Sequence, residues 1–464
     1  PGRLWSAVNP QSENLLYYLG KEAGKLSATL QGFEHPLAHR DFAWDVGQAQ
    51  WTYEHIELFT GDKLEIVEYF QSLFKEIQEP YTALRKSVVH SDANDNNVIV
   101  SNDLIHPQVE AIIDYGDAIY TQTINDLAIA IAYAVMNKPD ALEAALPIIK
   151  AYHQEFPLLP EELELLYTLV AMRLVISVTK SAINRQQEPD NAYLLISEKP
   201  AWEVLKKWRK ISKNLAHYSF RSACGFTPHP KENEFKTWAA TQNITIQSLF
   251  PKLPLEEVIK VDMSIESPWM GHESEYLNNQ LTEYKLQELK SGNENVLVAG
   301  GYLETRPFYI TNAYKKESNN GPIYRAVHLG LDMWIDAETQ IHAPIDGEVF
   351  SIYHNDADKD YGPTLILKHQ TKEGLVFFSL YGHLSLASLS LLKKGQNIKK
   401  GSPIAWVGNH KENGNWAAHL HFQLMLDMLD NQHDFPGVST PNELDVWKSI
   451  CPNPNLLWKE KNLE

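Results

Sequence analysis

Between residues 326 and 423 glycine and proline recur at intervals of 15 positions or fewer up to Gly414, and the runs between them are short and either alternating or apolar. Pro344-Ile-Asp-Gly347 is a turn that feeds an alternating run at 348–353, and further runs stand at 364–369, 376–381, 403–407 and 419–425. Segments of that length, punctuated in that way, build strands rather than helices. An antiparallel all-β domain is expected here, beginning near residue 290.

Three polar islands lie in this stretch: His328-Leu-Gly-Leu-Asp332, Tyr381-Gly-His383-Leu, and His419-Leu-His421-Phe-Gln423. Imidazoles and a carboxylate are the ligand chemistry of zinc, and a catalytic zinc takes three protein ligands and leaves one position for water. Gly330 relaxes the backbone between His328 and Asp332, so both side chains can bend onto one ion. His419 and His421 share a strand face, about 7 Å apart. That separation fits one ligand and one reacting group, and His383 can supply another group near the water. Roughly one H-x-H pair is expected by chance in a chain with this much histidine. The ordered combination is rarer: H-x-G-x-D, A-P-x-D-G-x-V, Y-G-H-L, the Gly395-Gln and Lys400-Gly401 pairs, and H-L-H-F all fall within residues 326–423.

This combination closely resembles the M23 (LytM/lysostaphin-type) zinc metallopeptidases, over about residues 325–425. The resemblance implies Zn2+ held by His328, Asp332 and His421, with His383 and His419 as the catalytic pair, and all five positions are filled. It implies hydrolysis of a peptide or small amide by zinc-activated water. Members of that family typically cut glycyl bonds outside the cytoplasm, whereas this chain shows no export signal and carries a region suited to cytosolic ATP. A cytoplasmic location is expected.

That region is residues 1–215, which read mostly as helix. Apolar residues recur at helical spacing over 62–84, with Pro80 placed to end or kink the helix. Residues 126–135 are strongly apolar, 160–183 form a long helix with Pro160 in its first turn, and 202–211 are amphipathic and basic. Between these helices, His90-Ser-Asp92 and Asn97 lie near one short β-run, and Asp114-Tyr-Gly-Asp117 ends another. Phosphoryl transfer needs a carboxylate for the acceptor hydroxyl, and an amide and a second carboxylate for magnesium.

The order H-x-D-x-x-x-x-N followed by I-D-Y-G-D resembles the aminoglycoside-phosphotransferase-like small-molecule kinases. It implies Asp92 as catalytic base, Asn97 and Asp114 as magnesium ligands, and Asp126 as the structural aspartate of Asn125-Asp-Leu-Ala. The matching part is a kinase C-lobe. No Gly-rich loop or strand lysine precedes it, so Mg2+ and ATP are expected only if the full-length protein completes the lobe. His39-Arg40-Asp41 imitates another kinase motif, but Val46 stands where asparagine is needed, and Asp41 is read as structural or substrate-facing. The start at Pro1-Gly-Arg-Leu-Trp is that expected of a fragment.

The whole chain of 464 residues allows two to four domains. The expected class is multidomain α+β: a kinase-like C-lobe at 1–215, a connector at 216–289, the all-β domain at 290–430, and an interdomain tail at 431–464. Kinase-like and M23-like regions in one chain also resemble larger fusions in which a class III aminotransferase follows, which makes a downstream aminotransferase-like domain an expected neighbour. A formal net charge of −18 argues against nucleic acid or anionic membrane as the main partner. No apolar run is read as approaching the roughly 18 residues of a membrane span. Two cysteines, Cys224 and Cys451, are expected as reduced thiols. Three functions follow: a zinc metallopeptidase or amidase, a kinase of a small amino-alcohol or amino-acid hydroxyl with the β-domain as accessory, or a non-catalytic peptide-binding module.

Overall fold

The computed structural model describes residues 2–187 and 198–463. The chain divides into two compact units, Pro1–Phe226 with Glu317–Gly321, and Thr227–Lys316 with Pro322–Glu464.

The first unit is mainly helical, as expected. Strand β1 (Arg3–Leu4) precedes helix α1 (Glu13–Leu30), then α2 (Asp62–Glu76) and α3 (Gln78–Ala83). The α2/α3 break falls at Ile77, three residues before Pro80, because a proline ring displaces the carbonyl four residues earlier. Strands β2 (Lys86–Val89), β3 (Val98–Val100), β4 (Val109–Ile112) and β5 (Ile119–Gln122) follow. They pair as β1-β3-β4 and β2-β5. Helices α4 (Ile124–Ala134), α5 (Ala141–Glu155), α6 (Pro160–Gln187), α7 (Glu198–Trp208) and α8 (Lys213–Ala223) complete the unit.

Two glycines one turn apart let α1 lie close on α5. A Cβ at Gly20 would sit 2.0 Å from the Ile148 carbonyl oxygen, and one at Gly24 would sit 2.8 Å from that of Tyr152. Helix α6 corrects the reading that no segment reaches membrane-spanning length. It is long and apolar enough to cross a bilayer, and 83% of its most apolar window is buried inside the protein. Its stripe of Leu, Val and Ile is core for the helices around it.

The second unit is built on an eight-stranded sheet. Helix α9 (Glu232–Thr241), strand β6 (Glu257–Lys260), α10 (Glu273–Tyr276), α11 (Asn279–Lys290) and β7 (Val296–Gly300) come first, followed in chain order by the pair β8 (Lys315–Ser318) and β9 (Gly321–Tyr324), whose residues Glu317–Gly321 count with the first unit. Then follow β10 (Val327–His328), β11 (Leu331–Trp334), β12 (Gln340–His342), β13 (Gly347–Asn355), β14 (Gly362–Gln370), β15 (Val376–Gly382), β16 (Asn397–Ile398), β17 (Pro403–Trp406), β18 (Leu420–Met425) and β19 (Val438–Ser439). Helices α12 (Leu444–Ile450) and α13 (Asn455–Trp458) close the unit. The sheet order is β16-β13-β14-β15-β18-β11-β7-β6.

Most of this sheet is antiparallel, but β6 joins β7 in parallel. Of the stretch 216–289 read from sequence as connector, residues up to Phe226 fall in the first unit and the rest supply an edge strand. They also supply Phe235, Leu249 and Phe250 to the same core as the strands. The tail reading of 431–464 is corrected likewise: β19 pairs with β10, and Leu457, Trp458 and Leu463 are buried in that core. The backbone after Gly300-Gly301 is turn and loop.

His369 on β14 carries a prediction of its own. Its Nδ1–H donates to the Asp346 carbonyl at 2.8 Å, and its Nε2 accepts from the Ser379 hydroxyl at 2.7 Å. Burial pushes its pKa down from 6.5 to about 4, so the folded state binds fewer protons here than the unfolded state. Its contribution is fully present above about pH 6.5 and is lost as pH falls towards 4, a change on the order of 3 kcal/mol. Denaturant unfolding across that range should show the decline in the wild type and a flatter profile in His369→Gln. Coincident slopes would assign the effect to another group.

Candidate metal centre and phosphotransfer loop

In the second unit, β11 lies between β18 and β7, so Asp332 stands opposite His421 on one side and Gly300 on the other. His328 is held by β10 opposite Val438. Gly330 is required by close approach, since a Cβ there would lie 2.3 Å from the His421 ring. His328, Asp332 and His421 are all buried. Each offers one ligand atom, and the three atoms lie within 4.8 Å of one another.

The hydrogen bonds fix which ring nitrogens are bare. His328 Nδ1–H donates to the Gly301 carbonyl at 2.9 Å, which leaves Nε2 without a proton. The Gln423 amide nitrogen donates to the Pro436 carbonyl at 3.1 Å, so its oxygen faces His421 and accepts Nε2–H at 3.1 Å. With its ring neutral, as a metal ligand must be, His421 keeps Nδ1 bare. That atom lies 3.0 Å from His328 Nε2 and 3.0 Å from Asp332 Oδ1. Three lone pairs converge with no proton between them, an arrangement that suits a bound cation. Two imidazoles and one carboxylate form a donor set suited to zinc.

Charge reinforces this. Burial and then the Arg306 guanidinium drive His328 well below its ordinary value, which keeps the ring in its neutral, ligating form. Burial opposes ionisation of Asp332; a protonated His328 would favour it, and with His328 neutral the Arg306 guanidinium is the charge that holds the carboxyl well below the usual carboxylate range.

His383 and His419 face each other with ring centroids 4.2 Å apart. His383 Nδ1–H donates to the Asn413 carbonyl at 2.8 Å, and His419 Nδ1–H to that of Ala417 at 2.7 Å. Both present a bare Nε2, and that of His419 is 3.8 Å from Asp332 Oδ1. Burial pushes both rings below their ordinary values, so both are neutral and able to accept a proton. His383 holds a left-handed backbone, φ +61°, of the kind that collects at functional sites. These residues line a cavity of about 570 Å3, together with Trp416, Tyr309, Phe308 and Trp269. That volume is in the small-molecule range.

Residues 326–433 match the model of Peptidase family M23. The second unit carries an M23 peptidase segment. An uncharacterized metalloprotease of Haemophilus influenzae is 32% identical over 100 residues, covering 22% of this chain and 19% of that protein. A zinc-containing peptidase from Vibrio cholerae aligns at 27% identity with a TM-score of 0.17, over 21% of this chain and 27% of that one.

The M23 segment leaves the first unit to be described by itself, and residues 1–164 match the Phosphotransferase enzyme family. Hydroxylysine kinase of Bos taurus is 29% identical over 220 residues, covering 45% of this chain. The chain spans 58% of the length of that relative.

Within this phosphotransferase segment, buried Asp126 accepts the backbone N–H groups of His90 and Ser91 at 3.0 and 2.8 Å. It thereby fixes the left-handed turn at Ser91, φ +67°, which presents Asp92. Asp92 Oδ2 accepts from the Asn97 amide at 2.8 Å. The pairing of Val98 with Ile112 sets Asn97 and Asp114 at the same end of a hairpin. His90 Nε2–H donates to the Ile113 carbonyl at 3.0 Å and ties the two loops. Asp114 itself is exposed, and its carboxylate caps Gly116 N–H at 3.2 Å. Asp41 is exposed too, and its neighbour Arg40 donates to the Gly116 carbonyl at 2.9 Å.

Sequence reading missed three residues at these sites. Arg173, 1% exposed, donates to Asp92 Oδ1 at 2.8 Å. A lone arginine inside the apolar run of α6 was the available signal. Arg306 donates to Asp332 Oδ2 at 2.6 Å, and Gln423 sets the tautomer of His421.

Proposed function

We propose that the second unit hydrolyses a peptide or amide bond, with zinc held by His328 Nε2, Asp332 Oδ1 and His421 Nδ1. The observation that carries this reading is the convergence of three bare, buried ligand atoms beside two histidines whose Nε2 atoms are also bare. A zinc ion bound there supplies Lewis-acid activation of the scissile carbonyl and of the attacking water. His383 and His419 do the proton work. One Nε2 takes the proton of the attacking water, and an Nε2–H then donates to the departing amine nitrogen. Their backbone carbonyl partners, at Asn413 and Ala417, keep Nδ1 protonated and so keep Nε2 available. The aromatic wall at Trp416 and Tyr309 limits water around the reacting groups.

A second reading is favoured by the Asp92–Asn97 contact and by the likeness of the first unit to hydroxylysine kinases. We propose phosphoryl transfer from ATP to the hydroxyl of a small amino acid or amino-alcohol, carried out by the longer protein of which this chain would be a part. Asp92 would accept or orient the hydroxyl proton, with Asn97 and Asp114 holding magnesium at the nucleotide phosphates.

The test is metal analysis followed by assay of purified, zinc-loaded protein against a panel of dipeptides and N-acyl amides. Hydrolysis that a chelator abolishes and zinc restores is expected. ATP consumption with hydroxylysine, unaffected by the zinc chelator, is the expected sign of the second activity. Fully zinc-loaded protein that cleaves no member of the panel would remove the first reading.

A further inference from the structure

We propose that Arg306 is a positioning residue of the metal centre, bracing Asp332 so that a single carboxylate oxygen faces the histidines. This rests on the reading that His328, Asp332 and His421 hold zinc. Arg306 lies outside the segment that matches the peptidase family and is 2% exposed. Its Nη1 donates to Asp332 Oδ2 at 2.6 Å, and its Nε donates to Glu304 Oε2 at 3.0 Å. The two Asp332 oxygens are thus divided. Oδ2 belongs to the guanidinium, while Oδ1 is 3.0 Å from His421 Nδ1 and 3.4 Å from His328 Nε2.

The loop that carries Arg306 also holds the first histidine. The Glu304 carbonyl accepts His328 N–H at 2.9 Å, and Arg306 N–H donates to the Ala326 carbonyl at 2.9 Å. The Gly301 carbonyl accepts His328 Nδ1–H at 2.9 Å. One short loop therefore sets the tautomer of His328 and the rotamer of Asp332. A carboxylate with one oxygen bound to a buried guanidinium cannot swing round to chelate through both. Glu304 holds the guanidinium plane in place, which a point charge on a flexible stem would not reproduce.

Arg306→Lys separates geometry from charge, since lysine keeps the positive charge beside Asp332 and loses the two-ended fork. Zinc affinity is measured by competition with a chromophoric chelator, and thermal unfolding of the metal-free proteins is followed in parallel. Arg306→Lys is expected to weaken zinc binding at least about tenfold, within the 10–100-fold range for partners of metal ligands. Glu304→Gln should weaken it by about threefold or more while leaving the Arg306–Asp332 contact in place. Cobalt-substituted Arg306→Lys should also show an altered ligand-field spectrum, as expected if Asp332 changes its mode of binding. Zinc affinity of Arg306→Lys within about twofold of wild type overturns the proposal. If that variant does not fold, Glu304→Gln decides, and wild-type affinity there overturns it equally. These are binding measurements, so zinc-loaded wild type that hydrolyses nothing would remove the peptidase reading and leave the brace standing.

Discussion

Asp332→Ala should cost the second unit both its zinc and a large part of its stability. The carboxylate is buried, supplies one converging ligand atom, and accepts from Arg306 at 2.6 Å. Removing one partner of a buried ion pair leaves the other charged and poorly solvated, at a cost of roughly 3–5 kcal/mol. The lower end applies, because Glu304 still faces Arg306 at 3.0 Å. Asp332→Asn keeps the shape and removes the charge, so it should also lose zinc while filling the space. Equilibrium unfolding of the metal-free proteins and metal analysis of the purified variants measure the two effects. Stoichiometric zinc in both variants would show that Asp332 is no ligand.

The second large effect is expected at His383, and it should be purely kinetic. Its Nε2 is bare and its ring lies beside that of His419, while the three converging ligand atoms come from other residues. Its backbone is left-handed, φ +61°, a conformation that histidine, asparagine and aspartate adopt more readily than alanine does. Asparagine tolerates that conformation and lacks the imidazole, so His383→Asn is the cleaner variant. Hydrolysis should fall by about 10²–10⁴-fold, the usual worth of a positioned acid or base, at unchanged zinc content. Loss of zinc together with turnover would instead make His383 a ligand.

How much of this was legible in the sequence depended on how far each partner lay along the chain. The histidines and Asp332 could be grouped because their motifs come in a fixed order within one β-rich stretch. Asp92, Asn97 and Asp114 could be grouped because hairpin pairing acts over short separations. The residues that orient these groups could not. Arg306 reaches Asp332 across 26 positions from a turn and loop, with Glu304 bound to it there. Arg173 reaches Asp92 across 81 positions from inside an apolar helix. Strand β6 has the composition of a connector, and only its parallel register with β7 makes it part of the sheet. At 431–464 the prolines and asparagines masked Leu457, Trp458 and Leu463, whose burial became visible only once the core had been assembled.

The pairing of β10 with β19 has a consequence for anyone who wishes to isolate the hydrolytic unit. His328 lies opposite Val438, and the Leu329 N–H donates to the Gly437 carbonyl, so the first ligand is seated on backbone that comes after residue 433, where the family match stops. At the other end, the loop that sets the His328 tautomer lies ahead of residue 326. An expression clone trimmed to the matched segment would therefore keep every ligand and lose the supports of the first one. Usable boundaries lie before α9, whose Phe235 is part of the core, and beyond Leu463, and a shorter fragment with no metal would report on the cut rather than on the chemistry.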